Sequence, residues 1–248
     1  MVSLDNFLST PIAHRGLYDD NYEENSLSAF RLAVENGFGI ETDVHILKDG
    51  VVAVFHDANM KRICGVNLKI ESLTSDELKK YPMTVGGEVI PTLPELLKLI
   101  DGRVPLLIEL KCLTGFYTNK LAKAVLRDLA GYKNKSNIAL QSFDPFAVRW
   151  IRKNQTDYPF GQLASMGDPK KNPKPNFLAR FMGELKCCKI SKPQFISYDI
   201  LNTPNKFIQS YIDKGMPVFS WTVNTNEKLA VAKKYTSNII FEKIRPIK

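Results

Sequence analysis

The 248 residues contain three histidines, His14, His45 and His56, all in the first quarter of the chain. His14 stands in Ala13-His14-Arg15-Gly16 and His56 in Phe55-His56-Asp57, each beside a charged residue at the end of an apolar run. Between them Glu41 and Asp43 lie two apart in a β-branched stretch. That spacing points two carboxylates to one side of a strand. Glu109 and Lys111 repeat it in Ile108-Glu109-Leu110-Lys111. Charges ending so apolar a run are not left unpaired in a core. Three carboxylates without thiolate or histidine-rich spacing suit a hard divalent cation, Mg2+ or Ca2+. Histidine, with an unperturbed pKa of ~6.5, both gives and takes protons near neutrality. Each pair taken alone is also what a solvated strand face looks like, so the weight rests on whether the fold gathers them.

The elements that must do so are readable from periodicity. Lys48-Asp49-Gly50 reads as a tight turn between the strand carrying Glu41 and Asp43 and a second strand over 51–55. An ideal hairpin register pairs residues whose numbers sum to about 99, which sets Asp43 opposite His56. His45, next along the strand after the acid pair, is expected to turn away from Asp43, toward whatever covers the site. Counting that first strand, and leaving 51–55 as an extra partner, strands begin near residues 12, 40, 104, 138, 160, 195, 218 and 238, with helices between them. Such alternation implies parallel strands and right-handed crossovers. Eight parallel strands close as an α/β, TIM-type (β/α)8 barrel. The expected organisation is one domain over 1–248 with a small insertion after the second barrel strand. That insertion, about 46–88, forms a cap, irregular apart from a helix at 75–80. Residues 1–10 read as a polar lead-in. Strand C-termini face the active site of such a barrel, so His14, Glu41, Asp43, Glu109 and Lys111 converge. Trp221, at the end of the seventh barrel strand, floors a substrate pocket. With His14 and His56 engaged elsewhere, Ser142 has no histidine or acid left to activate it, which disfavours a serine-hydrolase triad.

Composition narrows the partners. A net charge of +8, from 34 Lys and Arg against 26 Asp and Glu, favours anionic molecules: phosphorylated metabolites or a membrane surface. The lysines are scattered and no nucleic-acid-binding motif occurs. Cys64, Cys112, Cys187 and Cys188 show no CxxC spacing, as expected of a reduced, cytoplasmic protein. No basic and apolar leader precedes Ile12. The apolar runs are far short of the ~18 residues of a membrane span. A peripheral membrane contact remains open through the loop 166–176, with Lys170, Lys171 and Lys174, and the apolar stretch 177–182 after it. The same stretch also fits a core-packed helix. Oligomeric state is not set by these features.

Taken in order, Ile12-Ala13-His14-Arg15-Gly16, Glu24-Asn25-Ser26, Glu41-x-Asp43-x-His45, Lys48-Asp49-Gly50, Phe55-His56-Asp57, Ile90-Pro91-Thr92-Leu93, Glu109-x-Lys111, Ser142-Phe143 and Trp221-Thr222-Val223-Asn224 resemble the glycerophosphodiester phosphodiesterase family along nearly the whole chain. The resemblance implies an α/β barrel that hydrolyses glycerophosphodiesters to an alcohol and sn-glycerol 3-phosphate. It implies Glu41, Asp43 and Glu109 as metal ligands and His14 and His56 as the acid/base pair. Arg15 and Lys111 would handle phosphate charge. The chain departs from the family in Glu-Asn-Ser for Glu-Asn-Thr, in Glu23 for a proline, and in Phe241-Glu242 where Thr-Asp is usual. Two other readings keep the scaffold: lysophospholipase D-like hydrolysis of lysophospholipids at a membrane surface, and a non-catalytic anion-binding barrel.

Overall fold

The computed structural model describes residues 3–112, 118–155, 157–171 and 173–246. Met1 and Val2 of the lead-in and Asn172 of the basic loop lie outside them. The strands are β1 (Ile12–His14), β2 (Gly39–Ile46), β3 (Val52–Val54), β4 (Leu106–Leu110), β5 (Ile138–Ser142), β6 (Phe160–Ala164), β7 (Phe195–Asp199), β8 (Val218–Val223) and β9 (Asn238–Phe241). All but β3 are parallel neighbours in the order β1-β2-β4-β5-β6-β7-β8-β9, and β9 pairs back onto β1 to close the ring. The expected eight-stranded barrel is therefore present, with β3 hydrogen-bonded antiparallel to β2 outside the ring.

Alternation along the strands sorts the side chains into two cores. Ile40, Val44, Leu106, Ile108, Ile138 and Leu140 point outward and pack under the helices. Ile12, Leu107, Ala139, Phe195, Phe219 and Ile240 point inward and fill the lower barrel. Gly161 is needed there: a Cβ on it would stand 2.1 Å from the Phe195 ring. The lead-in is not irregular. Asp5–Ser9 is a helix whose Phe7, fully buried, joins the inward cluster and stops the bottom of the barrel. Phe7, with Leu4 packed beside it, finds its place only once the barrel floor exists.

The hairpin differs from its expected register. Val44 pairs with Val54, His45 with Ala53 and Ile46 with Val52, so Asp43 faces Phe55, whose amide donates to the Asp43 carbonyl at 2.9 Å. The turn is one residue longer than a two-residue loop: Leu47 N–H donates to Val51 O at 2.8 Å, and Gly50 supplies the left-handed φ of 82°. His56 thus leaves the strand rather than opposing Asp43. Beyond β3, Leu47, Ala53, Phe55, Met60, Ile63, Ile70, Leu78 and Ile90 form a separate apolar cluster. Two short helices (Lys61–Cys64, Ser75–Leu78) and a 3-10 turn (Ile70–Ser72) run through this segment.

Candidate active site

In a parallel sheet, neighbouring strands in register bring their C-terminal residues to one level. His14 pairs with Glu41, and Asp43 with Glu109. Glu41, Asp43 and Glu109 consequently meet inside the barrel mouth, buried, with one oxygen from each lying within 4.8 Å of the others. Arg15, in the left-handed region at φ 58°, ties its amide to Glu41 O at 2.9 Å. Gly16 follows, where a Cβ would lie 2.9 Å from the Ala29 carbonyl carbon. This tight exit aims the Arg15 side chain back over β2.

The acids are clamped by cations and amides. Lys111 Nζ lies 2.9 Å from Asp43 Oδ1 and 2.7 Å from Glu109 Oε1. Arg15 reaches Asp43 Oδ2 at 3.2 Å and Glu24 Oε1 at 2.7 Å. Asn25 donates to Asp43 Oδ2 at 3.1 Å while accepting from Thr42 Oγ1 at 2.8 Å. Burial would raise the Asp43 pKa, but Lys111 and Arg15 overcome it and hold the carboxylate ionised, well below its ordinary value. Burial also opposes the charges of Arg15 and Lys111, and the carboxylates around them keep both protonated. Glu41 is pushed well up by burial and then by Asp43 and Glu109. Glu109 is pushed up to about 7, by burial against the counter-pull of Lys111.

Among the described residues the buried Glu41 Oε2 accepts no hydrogen bond, while Asp43 Oδ1 has the Lys111 ammonium at 2.9 Å. An oxygen such as Glu41 Oε2 is costly unless a cation answers it. An all-oxygen donor set of three carboxylates fits Mg2+ or Ca2+, so these residues suit the ion that the sequence implied.

Both outer histidines line the cavity above the acids, together with Arg15, Lys111, Gln141, Phe143, Leu163, Trp221 and Thr222. His14 Nδ1 lies 3.0 Å from Glu242 Oε2 and its Nε2 3.9 Å from Glu41 Oε2. Glu242 also accepts from the Tyr18 hydroxyl at 2.6 Å and the Asn224 amide at 3.2 Å. Burial works against the Glu242 charge, yet His14 and Tyr18 lower its pKa to about 2. His56 Nδ1 lies 2.7 Å from Asp57 Oδ1. Arg62 grips Asp57 at 2.8 and 3.0 Å and reaches Glu24 at 2.7 and 3.0 Å. In each imidazole a carboxylate fixes Nδ1–H and leaves Nε2 free. Burial lowers the His56 pKa, Lys111 and Arg15 add to this, and the Asp43 charge opposes it.

His45 does not point away from the acids: two residues on from Asp43, it falls on the same face of β2 and lines a cavity with His56, Glu109 and Lys111. Its Nδ1 lies 3.2 Å from Glu71 Oε1 and its Nε2 3.2 Å from the His56 carbonyl oxygen, which makes it a brace for the backbone of His56. Trp221 packs edge-on against Phe143 at 5.6 Å, and its buried indole N–H has no acceptor among the described residues. A substrate oxygen would satisfy it. Ser142 donates to the Leu110 carbonyl at 2.8 Å and is structural.

The eight residues expected at the site, His14, Arg15, Glu41, Asp43, His56, Glu109, Lys111 and Trp221, lie together at this mouth, whereas Gln141 in the lining, Glu242 as the partner of His14 and Arg62 as the clamp on Asp57 were not anticipated. For Glu242 the only signal was Phe-Glu at the end of the last strand. For Arg62 there was none. The cavity has two lobes, about 90 Å³ and about 180 Å³, that share His56, Glu109, Lys111 and Phe143. A larger cleft of about 610 Å³ lies on the barrel's outside between Pro94 and Asn134, away from this chemistry.

A parallel barrel whose strand ends gather acids, two imidazoles and two fixed cations belongs among the (β/α)8 enzymes. The sequence profile of the Glycerophosphoryl diester phosphodiesterase family matches residues 14–241, and the chain belongs to that family of hydrolases. A glycerophosphodiester phosphodiesterase of Caldanaerobacter subterraneus is 31% identical over 164 residues, 63% of this chain and 67% of that protein. The crystal structure of a glycerophosphodiester phosphodiesterase from Thermotoga maritima is similar with a TM-score of 0.73 and 27% identity, covering 94% of each chain. A phosphodiesterase from Oleispira antarctica, solved with its product sn-glycerol-3-phosphate, shares the fold with a TM-score of 0.79. Its identity is 20%, over 96% of this chain and 94% of that one. No helix among the described residues is long and apolar enough to cross a membrane.

Proposed function

We propose that the chain hydrolyses small glycerophosphodiesters to an alcohol and sn-glycerol 3-phosphate, with Glu41, Asp43 and Glu109 holding a divalent cation, Mg2+ or Ca2+. The observation that carries this reading is the meeting of those three carboxylates, two carboxylate-fixed imidazoles and two cations on one cavity. When bound, the cation would withdraw charge from the phosphoryl oxygens. Arg15 and Lys111 supply fixed positive charge for the same anion, so that it accepts an incoming oxygen. One imidazole takes the proton of the attacking hydroxyl, either the substrate's glycerol 2-hydroxyl or a water, as the new P–O bond forms. The other returns a proton to the alkoxide as the old bond breaks. If the glycerol hydroxyl attacks, water opens the cyclic phosphate with the two roles exchanged. Trp221 offers its indole N–H and ring face to the glycerol.

The two lobes on either side of His56 and Lys111 match the two halves of a diester. We assign the chain a single domain in which residues 46–88 serve as the cap over the reacting groups, because His56 and Arg62 reach the site from that segment. A non-catalytic anion binder has no use for two imidazoles each oriented by its own acid.

The test is turnover of glycerophosphocholine, glycerophosphoethanolamine and glycerophosphoglycerol after chelation, with Mg2+ or Ca2+ added back. EDTA abolishes release of sn-glycerol 3-phosphate and one of the two ions restores it. Undiminished turnover in EDTA would remove the metal from the reaction.

A further inference from the structure

We propose that the barrel rim beyond β5, β6 and β7 docks on an anionic lipid surface, so that the cavity opens toward a membrane. This rests on the phosphodiesterase reading only for placing the reacting cavity at that rim.

Among the described residues eight large apolar side chains are exposed, and five of them, Phe143, Phe146, Phe177, Leu178 and Leu201, follow the ends of these three strands. Phe177 and Leu178 stand furthest out, 85% and 66% exposed, in the first turn of the helix Phe177–Gly183. Their exposure is built in. The far end of that helix is pinned by the Tyr198 hydroxyl, which donates to Gly183 O at 2.6 Å. Gly183 also packs so tightly on Met166 that a Cβ would stand 1.9 Å from its Cγ. Phe181 and Met182 are the residues turned inward, against the cluster of Ala164, Leu185 and Tyr198. The loop entering the helix is tied to the β7 end through Asn202, which accepts from Met166 N at 2.8 Å and donates to Gly167 O at 3.1 Å. Phe143 continues the apolar rim inward to Trp221 and the cavity.

Charge selects the occupant. Five cations face two carboxylates between residues 168 and 186. Arg180 and Lys186 share Glu184 at 3.0 and 2.6 Å. Lys170, Lys171 and Lys174 have no ion-pair partner among the described residues, and all three are exposed in the segment that leads into the apolar turn. Exposed apolar side chains preceded in the chain by unpaired ammonium groups match the acyl boundary and headgroups of an anionic leaflet. A second copy of the chain would bring the same basic patch against itself, which like-charge repulsion opposes.

The experiment is co-sedimentation of the full chain with vesicles of equimolar phosphatidylglycerol and phosphatidylcholine, and with phosphatidylcholine alone. The chain pellets with the first and not the second, and added salt releases it. Phe177→Asp with Leu178→Asp lowers the bound fraction about tenfold or more, and leaves glycerophosphocholine turnover unchanged. Wild-type chain that stays in the supernatant, a double variant that pellets equally, or equal binding to phosphatidylcholine overturns the proposal. So does a dimer in light scattering that the double variant dissolves, which assigns the patch to a second copy. Loss of glycerophosphocholine turnover in the wild type would instead strike the phosphodiesterase reading and leave the vesicle result standing.

Discussion

His14 and His56 line one cavity and each offers Nδ1 to a carboxylate, but the two carboxylates are balanced differently. Glu242, beside His14, takes its other hydrogen bonds from neutral donors, the Tyr18 hydroxyl and the Asn224 amide. Asp57, beside His56, is already held by the Arg62 guanidinium through two hydrogen bonds, and Arg62 in turn is shared with Glu24. The imidazole on the barrel side therefore answers an acid that, among the described residues, no guanidinium or ammonium touches. The one on the cap side leans on an acid whose charge is already met. Burial, with Lys111 and Arg15 close by, lowers the His56 pKa below its ordinary value and leaves it unprotonated at neutral pH. The asymmetry favours His56 as the proton acceptor for the attacking hydroxyl and His14 as the donor to the departing alkoxide.

The largest expected effects come from removing either ring. His14→Ala and His56→Ala should each lower kcat for glycerophosphocholine by about 10²–10⁴-fold. A diester with a nitrophenolate leaving group separates them, because such a leaving group departs without a proton. The His14 variant should regain most of its activity on that substrate and the His56 variant should not. The opposite pattern would exchange the roles.

The next effect tests the carboxylates themselves. Glu242→Gln keeps the length of the side chain but withdraws the charge that faces His14, and kcat should fall by about 10–10²-fold. Asp57→Asn leaves Arg62 held by Glu24, and its loss should stay within about tenfold. Steady-state rates at saturating substrate decide this, and equal losses would break the asymmetry.

These two pairs also differ in how far they were legible before the structure. His56 and Asp57 are neighbours in sequence, and Glu41-x-Asp43 and Glu109-x-Lys111 show the period of two that a strand imposes. Their convergence follows from a parallel ring, whose in-register pairing levels Asp43 with Glu109. His14 and Glu242 are 228 residues apart and meet only because β9 closes onto β1. No local pattern carries that closure; it follows from the strand count. The clamp of Arg62 on Glu24 and Asp57 arises from how the cap folds over the mouth, and a lone Arg in an irregular segment gives no warning of it. The hairpin register failed for a narrower reason. Gly at the third position of Lys48-Asp49-Gly50 satisfies the positive φ of a two-residue and of a three-residue turn alike, so turn chemistry did not distinguish a sum of 98 from one of 99.

The smallest expected effect sharpens the comparison through stability. The Glu242 pKa is about 2 in the fold, against ~4.3 for a glutamate in an unfolded chain. A depressed carboxylate stabilises fully above its unfolded value and loses that contribution as pH falls through its folded one. Wild-type protein should therefore lose part of its stability between about pH 4.5 and pH 2 that Glu242→Gln, having nothing there to protonate, does not lose. Asp57, also lowered to about 2, by Arg62 and then His56 against the pull of burial, titrates in the same window. Its variant should flatten the acid limb in the same direction, since linkage counts protons and not the identity of the partner. Urea midpoints at intervals through this window measure both. Two limbs flattened alike, beside unequal losses in kcat, would place the difference between the imidazoles in the reaction and not in the fold. A flattened limb for Glu242→Gln with no loss of kcat would make Glu242 a structural anchor for His14 and return the two rings to equal standing.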